Sequence, residues 1–191
     1  MTMPHAVDEE QRRQEIADAT LKIAEMRGAN AVTIREVANE LGRSTAFVTN
    51  YVPSRAQLMF NALNNARDRW TAGRYEATEG RTGIARLVEL SRWMCTTSEH
   101  DTALRNLWIE VLASTGPATK VVTDLTDRTF DEFRRGADEA QLEHAAEVAD
   151  ILYLYARGFH VKNVEDPINW SDARVDRALT VLLTSLLGVS E

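Results

Sequence analysis

Residues 32–53, VTIREVANELGRSTAFVTNYVP, pack two helix starts and a forced stop into one short span. Thr33 is followed three residues later by Glu36, a capping box, and Ile34, Val37, Ala38 and Leu41 then form one apolar stripe. Gly42 ends that helix after about two turns, because glycine readily takes the left-handed conformation that terminates helices. Ser44 restarts the chain as an N-cap, and Ala46 through Tyr51 form a second short helix before Pro53. Val48 and Val52, four apart, turn one face of it inward. Two short helices separated by about three residues predict a helix-turn-helix.

The flanks fit a three-helix bundle. A helix from about Glu9 to Arg27 carries Ile16, Ala19, Thr20, Ile23 and Ala24 on one face, with Gly28 as its stop. Ser54 and Gln57 make a further capping box, opening a helix with Leu58, Met59, Ala62, Leu63, Ala66 and Trp70 on its apolar side. This helix, from 54 to about 72, is shared between an N-terminal module, 1–53, and a regulatory and dimerisation part, 54–191. With Val48 and Val52 inward, the second short helix presents Thr45, Ala46, Phe47, Thr49, Asn50 and Tyr51 outward. Set in a major groove, Thr45, Ala46, Phe47 and Asn50 would meet bases, Asn50 pairing with adenine and Phe47 packing on a thymine methyl. Thr33, Arg35, Arg43, Ser44, Thr49, Tyr51, Ser54 and Arg55 are the expected phosphate contacts, with Arg12 and Arg13 in a mobile arm. The competing readings are a DNA-binding regulator without a small-molecule ligand and a helical protein-interaction module that docks through the Phe47/Tyr51 face.

Residues 15–58, EIADATLKIAEMRGANAVTIREVANELGRSTAFVTNYVPSRAQL, resemble the TetR family of bacterial transcriptional regulators. Gly28, Thr33, Val37-Ala38, Gly42, Ser44, Asn50-Tyr51-Val52 and Ser54-Arg55 carry the likeness. The resemblance implies a homodimer that binds a palindromic DNA operator and, as a repressor, is released when a small molecule enters its C-terminal domain. This chain departs at Thr49, where the family usually has a phosphate-contacting tyrosine, and at Val52, Ala24 and Ala46. Arg55 stands where lysine is usual and is expected to hold a phosphate through a two-pronged contact.

Charge narrows the alternatives. The net charge is -7, yet residues 1–70 carry nine basic and nine acidic residues, and residues 71–191 carry thirteen and twenty. That balance disfavours non-specific coating of nucleic acid and leaves room for a neutral reader that focuses its arginines on one face. Lone Cys95 excludes an intramolecular disulfide and a cysteine zinc cluster, and suits the cytoplasm. No apolar run approaches the roughly 20 residues of a membrane span. His5, His100, His144 and His160 are dispersed, and neither HExxH, GxGxxG nor GxxxxGK occurs, so neither an enzyme, a metal site nor a cofactor is expected.

Beyond Trp70 the chain reads as all-α. After a loop at about Gly73–Gly83, helices carry Ile84, Leu87, Val88, Ser91, Met94 and Cys95, then Leu104, Leu107, Trp108, Val111 and Leu112. Pro117 opens a third, with Val122, Leu125, Thr129, Phe130, Phe133 and Ala137. An effector pocket is expected from Trp70, Trp93, Met94, Cys95, Trp108, Glu110, Thr129, Phe130 and Phe133, with core packing as the alternative for each; a buried Glu110 would favour a cationic effector. Glu147–Phe159 and Asp172–Leu187 are apolar on more than one side, which calls for a second cover from a symmetry mate. Leu152, Tyr155, Phe159, Val175, Leu179, Leu182, Leu183 and Leu186 are the expected dimer interface. The segment from Val161 to Trp170 is left open between pocket cap, dimer edge and connector.

Overall fold

The computed structural model describes residues 4–96, 99–113 and 119–188. Nine α-helices order the described chain: α1 (Pro4–Arg27), α2 (Ile34–Glu40), α3 (Thr45–Tyr51), α4 (Arg55–Thr78), α5 (Gly83–Met94), α6 (Glu99–Ala113), α7 (Thr119–Glu139), α8 (Ala145–Glu165) and α9 (Asp172–Leu187). A short 3-10 turn, Ala29–Ala31, joins α1 to α2. The architecture is an N-terminal helical bundle joined through shared helix α4 to a C-terminal helical part.

The chain forms two compact units, and neither follows a boundary at 53/54. The first comprises residues 1–68 and 99–122, the second residues 69–98 and 123–191. Helix α6 therefore belongs with the N-terminal bundle, and α4 runs through both units.

In the first unit the expected stripe of α1, from Ile16 to Ala24, is interior, with Val37, Ala38, Val48 and Val52 from the two short helices. The first half of α4 adds Leu58, Met59, Ala62, Leu63 and Ala66, and α6 adds Ala103, Leu104, Leu107 and Val111. Helix α1 starts earlier than its periodicity suggests. Arg12 and Arg13 are thus helical rather than part of a mobile arm, Arg12 pairing with Asp8 and Glu15 and Arg13 with Glu9. Gly42, at φ 62°, closes α2: Arg43 N donates to Ala38 O at 2.9 Å and Gly42 N to Asn39 O at 3.1 Å. A side chain there would strain the backbone that aims α3.

The second unit is built on Leu87, Leu90, Met94, Phe133, Leu152, Phe159, Val175, Leu179 and Leu183, contributed by α5, α7, α8 and α9. Gly136 lets α7 approach α5, since a Cβ on it would lie 3.0 Å from Leu87 Cγ. The expected loop at Gly73–Gly83 shrinks to a few residues, because α4 continues to Thr78 and Gly73 packs on the Trp93 indole instead of breaking the helix. Likewise α8 runs on to Glu165, so the first half of the open 161–170 segment is helix. Pro117 lies outside the described residues, as do the side chains of Val122 and Leu125.

Candidate functional site

Local chemistry fixes how α3 is displayed. The Ser44 hydroxyl accepts from Phe47 N at 3.2 Å, capping α3, just as Thr33 accepts from Glu36 N at 3.1 Å at the start of α2. Ser54 accepts from Gln57 N at 3.2 Å at the start of α4. The three cap hydroxyls expected to meet phosphates therefore hold helix amides, though each keeps its own proton to donate. Val48 and Val52 are fully inside, which leaves Thr45, Ala46, Thr49 and Asn50 exposed along the opposite side. The Thr49 hydroxyl turns back to Ala46 O at 3.3 Å.

Phe47 is less free than its outward position suggests. It is half-buried, meets Tyr51 edge to face at 5.4 Å, and carries the Arg43 guanidinium 5.3 Å above its ring. Phe47 and Tyr51 thus support each other, a packing role within the single chain. Arg43 is fixed at the entrance of α3 by the same ring.

Ion pairing sorts the basic residues of this unit. Arg12, Arg13, Lys22, Arg27 and Arg55 all have carboxylate partners: Asp8 and Glu15, Glu9, Glu40, Glu36 and Glu110 respectively. Among the described residues, Arg35 and Arg43 are exposed and in no ion pair. Both precede α3 in sequence, Arg35 in α2 and Arg43 in the turn that leads into it. Uncompensated guanidinium groups beside a polar helix face suit phosphate oxygens.

Arg55 corrects an expectation. Its Nε donates to Val32 O at 2.8 Å, one terminal nitrogen to Ala29 O at 3.0 Å and the other to Glu110 Oε2 at 3.0 Å. The guanidinium clamps the start of α4 to the turn before α2 and to α6, so it is not offered to a phosphate. Glu110 is corrected with it: its carboxylate faces Arg55 rather than a ligand pocket. No spacing pattern reveals such a clamp, because two of its acceptors are backbone carbonyls more than twenty residues away.

The remaining pocket candidates divide between units. Trp108 and Glu110 lie in the first; Trp70, Trp93, Met94, Cys95, Thr129, Phe130 and Phe133 lie in the second. There Trp70 meets Trp93 edge to face at 5.5 Å and the His160 ring at 6.4 Å. His160, buried and absent from the sequence-based set, shares a hydrogen bond of 2.8 Å with Met94 O. Phe130 and Phe133 instead flank Tyr153, at 5.2 and 6.0 Å. Phe133, Met94, Cys95 and Thr129 are interior. Among the described residues no cluster of His, Cys, Asp and Glu could hold a metal, and no helix is long and apolar enough to cross a membrane.

The expected dimer contacts are mostly core. Leu152, Phe159, Val175, Leu179 and Leu183 are buried within their own unit, which removes them from an intermolecular face. Leu182 and Leu186 are half-buried against that core, and Tyr155 donates its hydroxyl proton to Val175 O at 3.3 Å. What α8 and α9 leave outside is a different apolar row: Ile151, Leu154 and Val161 on α8, Val181 on α9, with Leu154 65% and Val181 66% exposed.

No protein-family model matches the chain. A curated relative, the HTH-type transcriptional regulator PksA of Bacillus subtilis (strain 168), is 23% identical over 189 residues, spanning 93% of this chain and 90% of the relative. Among solved structures, a protein from Saccharomonospora viridis, described as a transcriptional regulator and solved in complex with choline, superposes with a TM-score of 0.78 at 19% identity, covering 91% of this chain and 96% of that one. A transcriptional regulator from Rhodococcus sp. Rha1 gives 0.74 at 18% identity over 94% and 99% of the two chains. A regulatory protein of the TetR family from Rhodococcus RHA1 gives 0.65 at 13% identity over 92% and 96%. The chain has the fold of the TetR-family transcriptional regulators.

Proposed function

We propose that the protein is a DNA-binding transcriptional regulator that acts as a homodimer and answers to a small molecule. The observation that carries this reading is the exposed row Thr45, Ala46, Thr49 and Asn50 on a capped helix whose other side is sealed by Val48 and Val52. Asn50 can offer a donor and an acceptor together to one adenine, while Arg35 and Arg43 neutralise phosphates. With Arg12, Arg13, Lys22, Arg27 and Arg55 each paired to a carboxylate, the exposed Arg35 and Arg43 keep their charge uncompensated.

Self-association is supported by the exposed apolar row of α8 and α9. A row at helical spacing, Ile151, Leu154 and Val161, gains most by meeting its own copy across a two-fold axis. Two copies then present two α3 helices, which successive major grooves about 34 Å apart would accommodate.

Response to a small molecule is supported by α4. It begins directly after α3, is clamped at Arg55 to the turn before α2 and to α6, and continues to Thr78 in the second unit. A ligand that favours one setting of α4 would bias α3 without a flexible linker in between, and a coupling of about 1–3 kcal/mol changes occupancy roughly 5- to 150-fold. The choline complex of the Saccharomonospora viridis protein supports small-molecule binding by a protein of this fold. The test is fluorescence anisotropy with palindromic duplexes from the region upstream of the gene. Tight binding that weakens linearly in log salt is expected; no preference over scrambled duplex at low salt refutes the proposal.

A further inference from the structure

The second unit contains a charge that its described residues do not balance. Arg74, in α4, is only 5% exposed, and its Nε has no hydrogen-bond partner. No carboxylate among the described residues pairs with it; its guanidinium carbon instead lies 5.1 Å from the ring of its neighbour Tyr75. Arginine cannot shed its proton to escape burial, as lysine can. Glu132, the one buried carboxylate among the described residues, is already held by Arg86 at 3.3 Å and Arg135 at 3.4 Å.

Aromatic rings lie along this stretch of α4, Tyr75 against the Arg74 guanidinium and Trp70 one turn before it. Trp70 meets Trp93 edge to face at 5.5 Å. Gly73, the residue before Arg74, lies against the Trp93 indole, where a Cβ would stand 3.5 Å from Nε1. His160 approaches the same Trp70 ring from α8. One turn before His160, burial lowers the pKa of Arg157, so a second guanidinium in this unit sits in a poorly solvated place. A buried cation of this kind repels a cationic ligand and costs stability until an anion joins it.

We propose that Arg74 is the anchor of the effector site and that the effector is a small organic monocarboxylate whose flat apolar body lies against Trp70 and Trp93. A planar guanidinium matches a carboxylate in a two-pronged contact, and one such pair cancels one charge. A phosphate dianion would leave a surplus charge among the indoles. The inference rests on the regulator reading above and names the chemistry of its ligand, in place of the cation that a buried Glu110 would have favoured.

The test uses the full chain with sodium benzoate, phenylacetate and decanoate, the neutral amide benzamide, and choline and benzyltrimethylammonium chloride at matched ionic strength. Thermal unfolding and tryptophan fluorescence report binding. At least one carboxylate is expected to raise the unfolding temperature and to bind tenfold or more tighter than benzamide, while the two cations do nothing. Arg74→Met should melt at or above the wild-type temperature without ligand and lose the carboxylate response; Arg74→Lys should keep part of it. The proposal is overturned if no carboxylate of the panel moves the wild type, if a cation stabilises it, or if Arg74→Met responds like the wild type. A ligand-free Arg74→Met that melts well below wild type also overturns it, since Arg74 would then be paired within the fold. Duplex binding is measured in parallel: retained binding with no carboxylate response rejects the ligand class alone, and absent duplex binding rejects the regulator reading.

Discussion

Replacing Arg55 by alanine separates a structural clamp from a phosphate ligand. The substitution deletes two hydrogen bonds from a charged donor to the carbonyls of Val32 and Ala29, at 2.8 and 3.0 Å, and a 3.0 Å ion pair with Glu110. Charge-assisted bonds contribute about 1.5–3 kcal/mol each when partly buried. The ion pair, with side chains 38% and 33% exposed, contributes about 0.2–1 kcal/mol. Water can reach part of the vacated site, so the net loss is about 2–4 kcal/mol, read as a lower midpoint in urea unfolding followed by circular dichroism. Arg55→Lys should recover less than half, because one ammonium cannot span two carbonyls and a carboxylate. Glu110→Gln should cost under about 1 kcal/mol. An Arg55→Ala protein within about 0.5 kcal/mol of wild type, with weaker binding to every duplex and a salt slope reduced by about one, would refute the clamp and restore Arg55 as a phosphate contact.

Further outcomes follow from the second unit. Leu154→Arg or Val181→Arg should halve the mass seen by light scattering at little cost to the fold, because both side chains are exposed. Leu183→Ala, in contrast, empties core volume and should cost about 2–5 kcal/mol. Burial pushes the Tyr155 hydroxyl up to about 12, with Cys95 adding to the effect. Its stabilising share is complete below the ordinary tyrosine value near 10 and is lost as pH rises through about 12. Absorbance titration should therefore show one tyrosine ionising about two units late, and Tyr155→Phe should remove that step.

Signals confined to one turn of helix are the ones a sequence displays. The Thr33, Ser44 and Ser54 caps, the Gly42 stop and the Val48/Val52 pair all depend on neighbours three or four residues away, and each is found in the structure as expected. Periodicity also marks α8 and α9 as apolar on two sides, yet it cannot say which side is core. Leu152 and Leu183 turn inward while Leu154 and Val181 face out, a choice made by packing against α5 and α7. Glycine is read as a breaker, but Gly73 lies within α4, with the Trp93 indole packed against it. Arg55 and Arg74 resemble any surface arginine in sequence. The clamp arises from carbonyls brought close by folding in one case, and the role proposed for the other rests on burial without a carboxylate partner.

That α3 reads bases is tested most directly by selecting duplexes from a randomised pool with the wild type and with Asn50→Ala, then measuring affinities at fixed salt. Loss of preference at one base pair in each half-site is predicted, with a drop of about 1–3 kcal/mol on the preferred sequence and little change elsewhere. Unchanged preference at every position would contradict it.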